Sequence, residues 1–531
     1  MKLLSKTLLS SLILSSLMLT GCSGGGSDSG TSSNNNGSIG TSSGSDLKWV
    51  EGEFPAYPQL ANQCAASNAS YELNEKLWLR SWSNDTYLWY NEITDRDPAP
   101  YGVIEYFQLL KTTELSASGN EKDQFHFSMP TSEWDQLNQS GASVGYGLKL
   151  NLQQASASTD RKVTVAYTEP GTPATSANIA RGAVIVSING VSVKDANDSD
   201  SINTLNQGLF PTTAGQQTQF AILDLGAAQT RNVTLTAQTV VSTPVQNVKA
   251  LATPTGNVGY MQFNSHIATA ERGLVDAVNQ LQQLDVKDLV LDLRYNGGGL
   301  LAMASQLGYM IAGEQATENR IFERSTFNDK YPTTDPVTGQ PLTPMPFIDQ
   351  SIGFNSGLLG AGQALPTLDL QRLYVLTTDN TCSASEALMN SLRGIDVEVI
   401  QLGGTTCGKP YGFYPTPNCG ETYFTVQFKG ANDKGFGDYS DGFIPSTSPT
   451  LASEITGCQL ADDFNHALGD KEERLLSAAL YYRDNSRCPA VPASIAKVPA
   501  KPQFVDQGYM LQDTRLQNVL LNNRILTEVK Q

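Results

Sequence analysis

The sequence is poor in the residues that build metal sites. It has three histidines, His126, His266 and His466, scattered widely, and none of its seven cysteines falls at zinc-finger spacing. A bound metal is therefore not expected. Basic residues are also scarce: 35 lysines and arginines stand against 52 aspartates and glutamates, a formal charge of −17. Such a chain has little with which to neutralise phosphates, which argues against nucleic acid as a partner; the charge serves solubility. Long apolar runs are missing too. The run from Leu8 to Leu19 is too short to span a bilayer comfortably and ends in small residues.

That run follows Lys2 and Lys6 and precedes Leu19-Thr20-Gly21-Cys22. The order reads as an export signal over residues 1–21 with a lipoprotein cleavage site, leaving Cys22 as a lipid-bearing mature N-terminus. Residues 22–47, almost wholly Gly, Ser, Asn, Thr and Asp, cannot bury enough apolar surface to order themselves and read as a tether. Ser23, rather than Asp, after Cys22 resembles the outer-membrane signal of enteric bacteria. An exported lipoprotein, held at the outer membrane and facing the periplasm, is the expectation. The six remaining cysteines, Cys64, Cys382, Cys407, Cys419, Cys458 and Cys488, are an even number in an exported chain. They read as disulfides whose pairing the spacing does not reveal.

Residues 48–138 read as a small, mainly helical domain. Leu73, Leu77, Trp78, Leu88 and Trp89 recur at roughly helical spacing, a second amphipathic stretch covers 103–110, and Trp82 and Tyr87 suit core packing. Over 139–242 the texture changes to short strands with Gly and Pro punctuation, at 162–166, 183–188 and 233–235. Tyr146-Gly147-Leu148, Gly171-Thr172-Pro173-Ala174, Arg181-Gly182 and Ile188-Asn189-Gly190-Val191 resemble the recurring turns of PDZ domains. The resemblance implies that Tyr146, Gly147 and Leu148 receive a peptide carboxylate on backbone amides while the peptide adds as a strand. A small β domain that merely covers the active site is the other reading.

Residues 243–490 alternate strand and helix: strands at 259–263, 288–294, 373–377 and 397–402, helices at 271–284, from about 300, and at 385–392. This predicts an α/β core in a multidomain chain. Residues 491–531, behind the link Pro489-Ala490-Val491-Pro492-Ala493, form a tail with no assignment.

The chemistry concentrates in this last domain. A strand at 373–377 runs through a polar turn into a helix, with Ser383 at the corner. There, unpaired first-turn amides and partial positive charge suit a nucleophile that generates an oxyanion. The plainer reading makes Ser383 an N-cap completed by Glu386 in a capping box. After the next strand comes Gly403-Gly404-Thr405-Thr406-Cys407-Gly408-Lys409-Pro410. A buried lysine there loses its charge and can act as a base. The same spacing fits a phosphate loop, but Pro410 stands where that loop needs Ser or Thr. His266, after the first core strand, is the rival base, and His126 reads as structural.

Taken together, these motifs resemble the C-terminal processing peptidase, or tail-specific protease, family, over about 73–489. Ser383-Ala384-Ser385-Glu386 resembles its nucleophile motif and 403–409 its base-bearing loop. Leu291-Asp292-Leu293-Arg294-Tyr295-Asn296-Gly297-Gly298-Gly299 resembles its oxyanion-hole strand and turn. The resemblance implies a crotonase/ClpP-like α/β core, with Ser383 as nucleophile, Lys409 as base, and the amides of Gly298 and Ala384 as the oxyanion hole. It further implies a serine endopeptidase, without cofactor, acting on unfolded or C-terminal segments of exported proteins. The alternative is an inactive, lipid-anchored peptide-binding scaffold of the same fold. Phe413 departs from the family's usual glutamine four residues after the lysine, and Gln427 is a candidate substitute. If Ser383 and Lys409 meet, Cys382 and Cys407 come close enough for a disulfide.

Overall fold

The computed structural model describes residues 48–64, 71–116, 118–153, 161–490 and 492, and the backbone of a strand at 523–525. The export signal, the tether with Cys22 and nearly all of the tail lie outside the described residues. Among the described residues, no helix is long and apolar enough to cross a membrane.

The first part folds around α1 (Tyr71–Thr86) and α2 (Val103–Gln108). Trp78 and Trp82, one helical turn apart, stack at 5.3 Å and are buried with Tyr106 and Phe107. This stretch is not helical throughout. Its strand β1 (Phe127–Pro130) pairs antiparallel with Glu421–Phe424, because Phe127 and Met129, two apart, both point into the main core. The Cys64–Cys419 disulfide ties the same region across 355 positions. His126 is a packing residue, with its ring nitrogens at Thr425 Oγ1 and Phe107 O. Burial pushes its pKa down to about 4.

The following module is entered and left through paired strands, Ala142–Gly145 and Gln238–Val241. Between them lie β2 (Leu148–Gln153), β3 (Lys162–Thr168), β4 (Val184–Ile188), α3 (Ser199–Leu209), β5 (Gln217–Leu223) and β6 (Arg231–Thr236). The five strands form an antiparallel sheet in chain order. Val163 and Val165, then Phe220 and Ile222, alternate inward, and Ile202, Leu205 and Leu209 of α3 close the core. Asp198 caps α3 by accepting Ser201 N at 2.9 Å. Strand β2 is outermost, which leaves it an edge of the kind that takes an added strand.

The main core runs β7 (Val245–Thr253), β8 (Gly256–Phe263), α4 (Ala270–Gln283), β9 (Val286–Asp292), β10 (Gly298–Leu300), α5 (Leu301–Ala312), β11 (Arg372–Thr377), α6 (Ala384–Gly394), β12 (Glu398–Gly403), β13 (Tyr411–Gly412), β14 (Ile444–Ser446), β15 (Glu454–Gln459) and α7 (Arg474–Asn485). A last strand, β16 (Asn523–Ile525), pairs in parallel with β10. Seven strands make one sheet in the order β7-β8-β9-β11-β12-β15-β14, parallel from β8 onward. On β9, Leu289 and Leu291 pack toward α4, α5 and α6, while Val290 packs toward α7. Burial on both faces explains why these strands read as nearly continuous apolar runs. Leu274, Ala277, Val278 and Leu281 form the buried stripe of α4 at the 3.6-residue period. Parallel strands end on one side of their sheet, so the segments after β9, β11 and β12, which are neighbours, emerge together.

Candidate active site

These three segments are cross-linked almost immediately. Behind β11 and β12, Gly404 N donates to Thr377 O at 2.9 Å and Cys407 N to Thr381 O at 3.0 Å. Behind β9, Leu293 N donates to Leu376 O at 3.0 Å, and Asn296 O accepts from Cys382 N at 3.1 Å. Cys382 and Cys407 are joined as a disulfide with their Cα atoms 5.1 Å apart, so the residues directly before the serine and two before the lysine share a covalent tie.

A single carboxylate completes the arrangement. Glu386, on the first turn of α6, accepts Ser383 N at 2.9 Å and Lys409 N at 2.8 Å on Oε2. Its Oε1 accepts Gly408 N at 2.8 Å and Thr406 Oγ1 at 2.5 Å. Since one oxygen serves both, the amide nitrogens of Ser383 and Lys409 lie no farther apart than the sum of those two bonds. Burial holds the Glu386 carboxyl above its ordinary value, against the donors, which pull it down.

Ser383 sits at φ 60° and ψ −111°, a conformation that a residue with a Cβ adopts only when its surroundings impose it. A nucleophile on a sharp strand-to-helix turn has this geometry. Its Oγ is fully buried and meets no hydrogen-bond partner among the described residues, Lys409 Nζ included. The capping-box expectation is thus half met: Glu386 reaches back to the Ser383 amide, but the Ser383 hydroxyl does not cap the helix.

Lys409 is also fully buried. Its ammonium position lies 4.3 Å from the Phe413 ring centre and 4.8 Å from that of Phe125. Burial pushes its amine well below the ordinary lysine value, while Asp123 and Glu386 pull the other way. Phe413 therefore supplies an apolar wall beside the amine. Gln427 does not substitute for the family's glutamine here: its Oε1 accepts Tyr414 N at 2.7 Å and its Nε2 lies 3.3 Å from Thr86 Oγ1.

The structure holds the Gly298 amide differently from the oxyanion role. Asn296 Oδ1 accepts Gly298 N at 3.0 Å and stands 3.1 Å from His266 Nδ1, while Asn296 Nδ2 donates to Phe263 O at 2.9 Å. Gly298 N must leave Asn296 before it can bind an oxyanion. Ala384 N, on the first turn of α6, has no carbonyl four residues back within the helix. Gly299 is required for packing, since a Cβ there would stand 2.3 Å from His266 O. His266 is buried, bonded to Asn296, and pushed down to about 4 by its desolvation, so it serves the Gly-rich turn. Among the described residues, the grouping with metal-ligand spacing is Cys382, Glu386 and Cys407, and its sulfurs are already bonded to each other.

One contact joins the β module to the main core through residues that no motif links in the sequence. Arg181 of the β module reaches the main core, with Nη2 2.8 Å from Asp462 Oδ1 and Nη1 2.6 Å from Tyr295 Oη. Asp462 also takes Arg294 Nη1 at 2.6 Å. Burial opposes its charge, but Arg294 and Arg181 hold its carboxyl below the ordinary range. The acidic run containing Asp462 was the available hint. In the β module, Tyr146 is buried with its hydroxyl 2.7 Å from Thr218 Oγ1. Gly147 turns at φ 79°, where a Cβ would strike Thr172, and Leu148 begins the outer strand β2.

Opening the Cys382–Cys407 bond should cost about 3 kcal/mol for a loop of 25 residues and loosen the Lys409 turn. Cleavage of a peptide substrate, the activity proposed below, is expected to fall in strong reductant. Unchanged activity, with both thiols shown free by mass spectrometry, would reject this role.

Residues 257–418 match the family model of peptidase family S41, and residues 136–208 match that of the PDZ domain. The chain is 33% identical over 184 residues to a chloroplastic C-terminal processing peptidase of Tetradesmus obliquus, covering 32% of this chain and 37% of that one. It is 27% identical over 277 residues to a carboxyl-terminal-processing protease of Picosynechococcus, covering 51% and 55%. The match thus spans between about a third and about half of the length of these relatives. A crystal structure of a putative S41 protease from Bacteroides fragilis shares the fold, with a TM-score of 0.57 at 22% identity over 77% of this chain and 97% of that one.

Proposed function

We propose that this chain, which carries a PDZ domain followed by a peptidase family S41 domain, is a serine endopeptidase that cuts unfolded or C-terminal segments of exported proteins, with Ser383 as nucleophile and Lys409 as base. The observation that carries the reading is the Glu386 carboxylate, which gathers the Ser383 and Lys409 amides on one oxygen beside a lysine whose burial holds its amine well below the ordinary lysine value.

Neutral Lys409 takes the proton of Ser383 Oγ, and the oxygen attacks the peptide carbonyl carbon. The tetrahedral oxyanion is held by the amide of Ala384 and by that of Gly298 once it swings from Asn296 Oδ1. Lys409 then protonates the leaving amine, and water hydrolyses the acyl-enzyme. No step calls for a cofactor. Tyr146, Gly147 and Leu148 lie at the head of the exposed-edge strand β2 and receive the substrate's terminal carboxylate while its chain adds to β2. Cys22 carries the lipid that keeps the enzyme at the outer membrane, facing the periplasm.

Unfolded casein incubated with the chain lacking residues 1–22 tests the reading. Wild type is expected to cut it, while Ser383→Ala, with an unchanged circular dichroism spectrum, should not. Equal cleavage by both would overturn the catalytic assignment; no cleavage by either would favour the peptide-binding scaffold.

A further inference from the structure

Strand β16 lies where a substrate would run. On one edge of β10, His266 N donates to Gly298 O at 3.0 Å and His266 O accepts Leu300 N at 2.8 Å. Backbone groups alternate sides along a strand, so this pairing turns the amide and carbonyl of Gly299 to the opposite edge. That edge is filled by the chain's own tail in parallel register: Gly298 faces Asn523, Gly299 faces Arg524 and Leu300 faces Ile525. The same three residues lie against α6, which begins right after Ser383, and against β13, which begins two residues after Lys409. The glycine-rich turn, the serine helix and the lysine loop therefore close around β16. Ser383, Ala384 and Lys409 are all 0% exposed, so no external polypeptide reaches Ser383 Oγ in this state.

We propose that the free edge of β10 is a strand-binding subsite for extended peptide, and that residues 523–525 of the same chain occupy it in competition with substrate. Backbone pairing of this kind is tolerant of sequence, and Gly298 and Gly299 have no Cβ to hold the incoming strand away. A strand of only three residues binds weakly by itself. Tethering raises its effective concentration to about the millimolar range, enough to hold the subsite against dilute substrate.

The kinetic half of the test rests on the peptidase reading, and the binding half does not. Both use the full mature chain. The double variant Asn523→Pro/Ile525→Pro removes two tail N–H groups available to the pairing and leaves every site residue intact. With a quenched-fluorescence peptide substrate, its kcat/KM is expected to rise about tenfold, through KM. In a Ser383→Ala background, a fluorescein-labelled peptide of residues 517–531 should bind the chain bearing both prolines, measured by anisotropy, and be excluded from the chain with the natural tail. Equal binding to both chains, or binding to neither, would overturn the proposal even if wild type cuts casein. The expected binding pattern with no cleavage by any form would uphold the subsite and sink the peptidase reading instead.

Discussion

Lys409→Met is expected to yield a folded protein that is inactive and, at neutral pH, more stable than wild type. The loss of activity follows from the proposed role of Lys409 as base, a contribution of roughly 10²–10⁴-fold. The gain in stability follows from burial: an apolar side chain of similar length carries none of the desolvation cost of a buried ammonium. The sign with pH can be worked out. The folded-state amine titrates well below its ordinary value of 10.5. Between the two values the unfolded chain holds a proton that the folded chain lacks, so wild-type stability rises with pH across that window. Below the window the folded state bears the full cost of a buried charge, and above 10.5 neither state is charged. The advantage of Lys409→Met, read from urea unfolding, should be largest at neutral and acid pH and fade as pH approaches the ordinary lysine value. A stability gap that ignores pH would mean that the amine is not depressed.

Glu386→Ala should have the largest effect on stability. It strands the amides of Ser383, Gly408 and Lys409 and the Thr406 hydroxyl, all buried donors to one carboxylate. At about 1–3 kcal/mol for each of these four unsatisfied donors, the loss is on the order of 4–12 kcal/mol, close to the whole stability of many domains. Glu386→Gln keeps the shape but turns an NH₂ toward one pair of donors, so it is expected to unfold at an intermediate urea concentration and to lose activity with the Lys409 turn. Wild-type unfolding midpoints in both variants would show that the carboxylate does not organise the site.

The parallel core was legible because its strands are buried on both faces: runs such as Leu289 to Leu291 and Leu373 to Leu376 are apolar without alternation and are separated by helices with clear stripes. The serine and lysine turns were legible because each directly follows such a strand. Pairing of Cys382 with Cys407 followed from their adjacency to those turns, whereas Cys64–Cys419 joins positions 355 apart, a contact that only the folded chain defines. The position of Phe413 marked a departure, but not that an aromatic ring would stand beside the lysine amine. The Gly298 amide was read from its motif alone, and its bond to Asn296 depends on a side chain within the turn, which spacing cannot orient. Strand β1 was hidden inside a helical stretch because its partner, Glu421–Phe424, lies hundreds of residues later. The tail strand β16 escaped for the same reason.

The most direct check is the rate at which a fluorophosphonate probe phosphonylates the serine hydroxyl, with fluoride leaving, followed by peptide mass mapping across pH. The expected result is a single label on Ser383, with a rate that climbs through one ionisation well below 10.5 and collapses in Lys409→Met. Labelling at another residue, or an equal rate without the lysine, would contradict the proposed pairing of these two side chains.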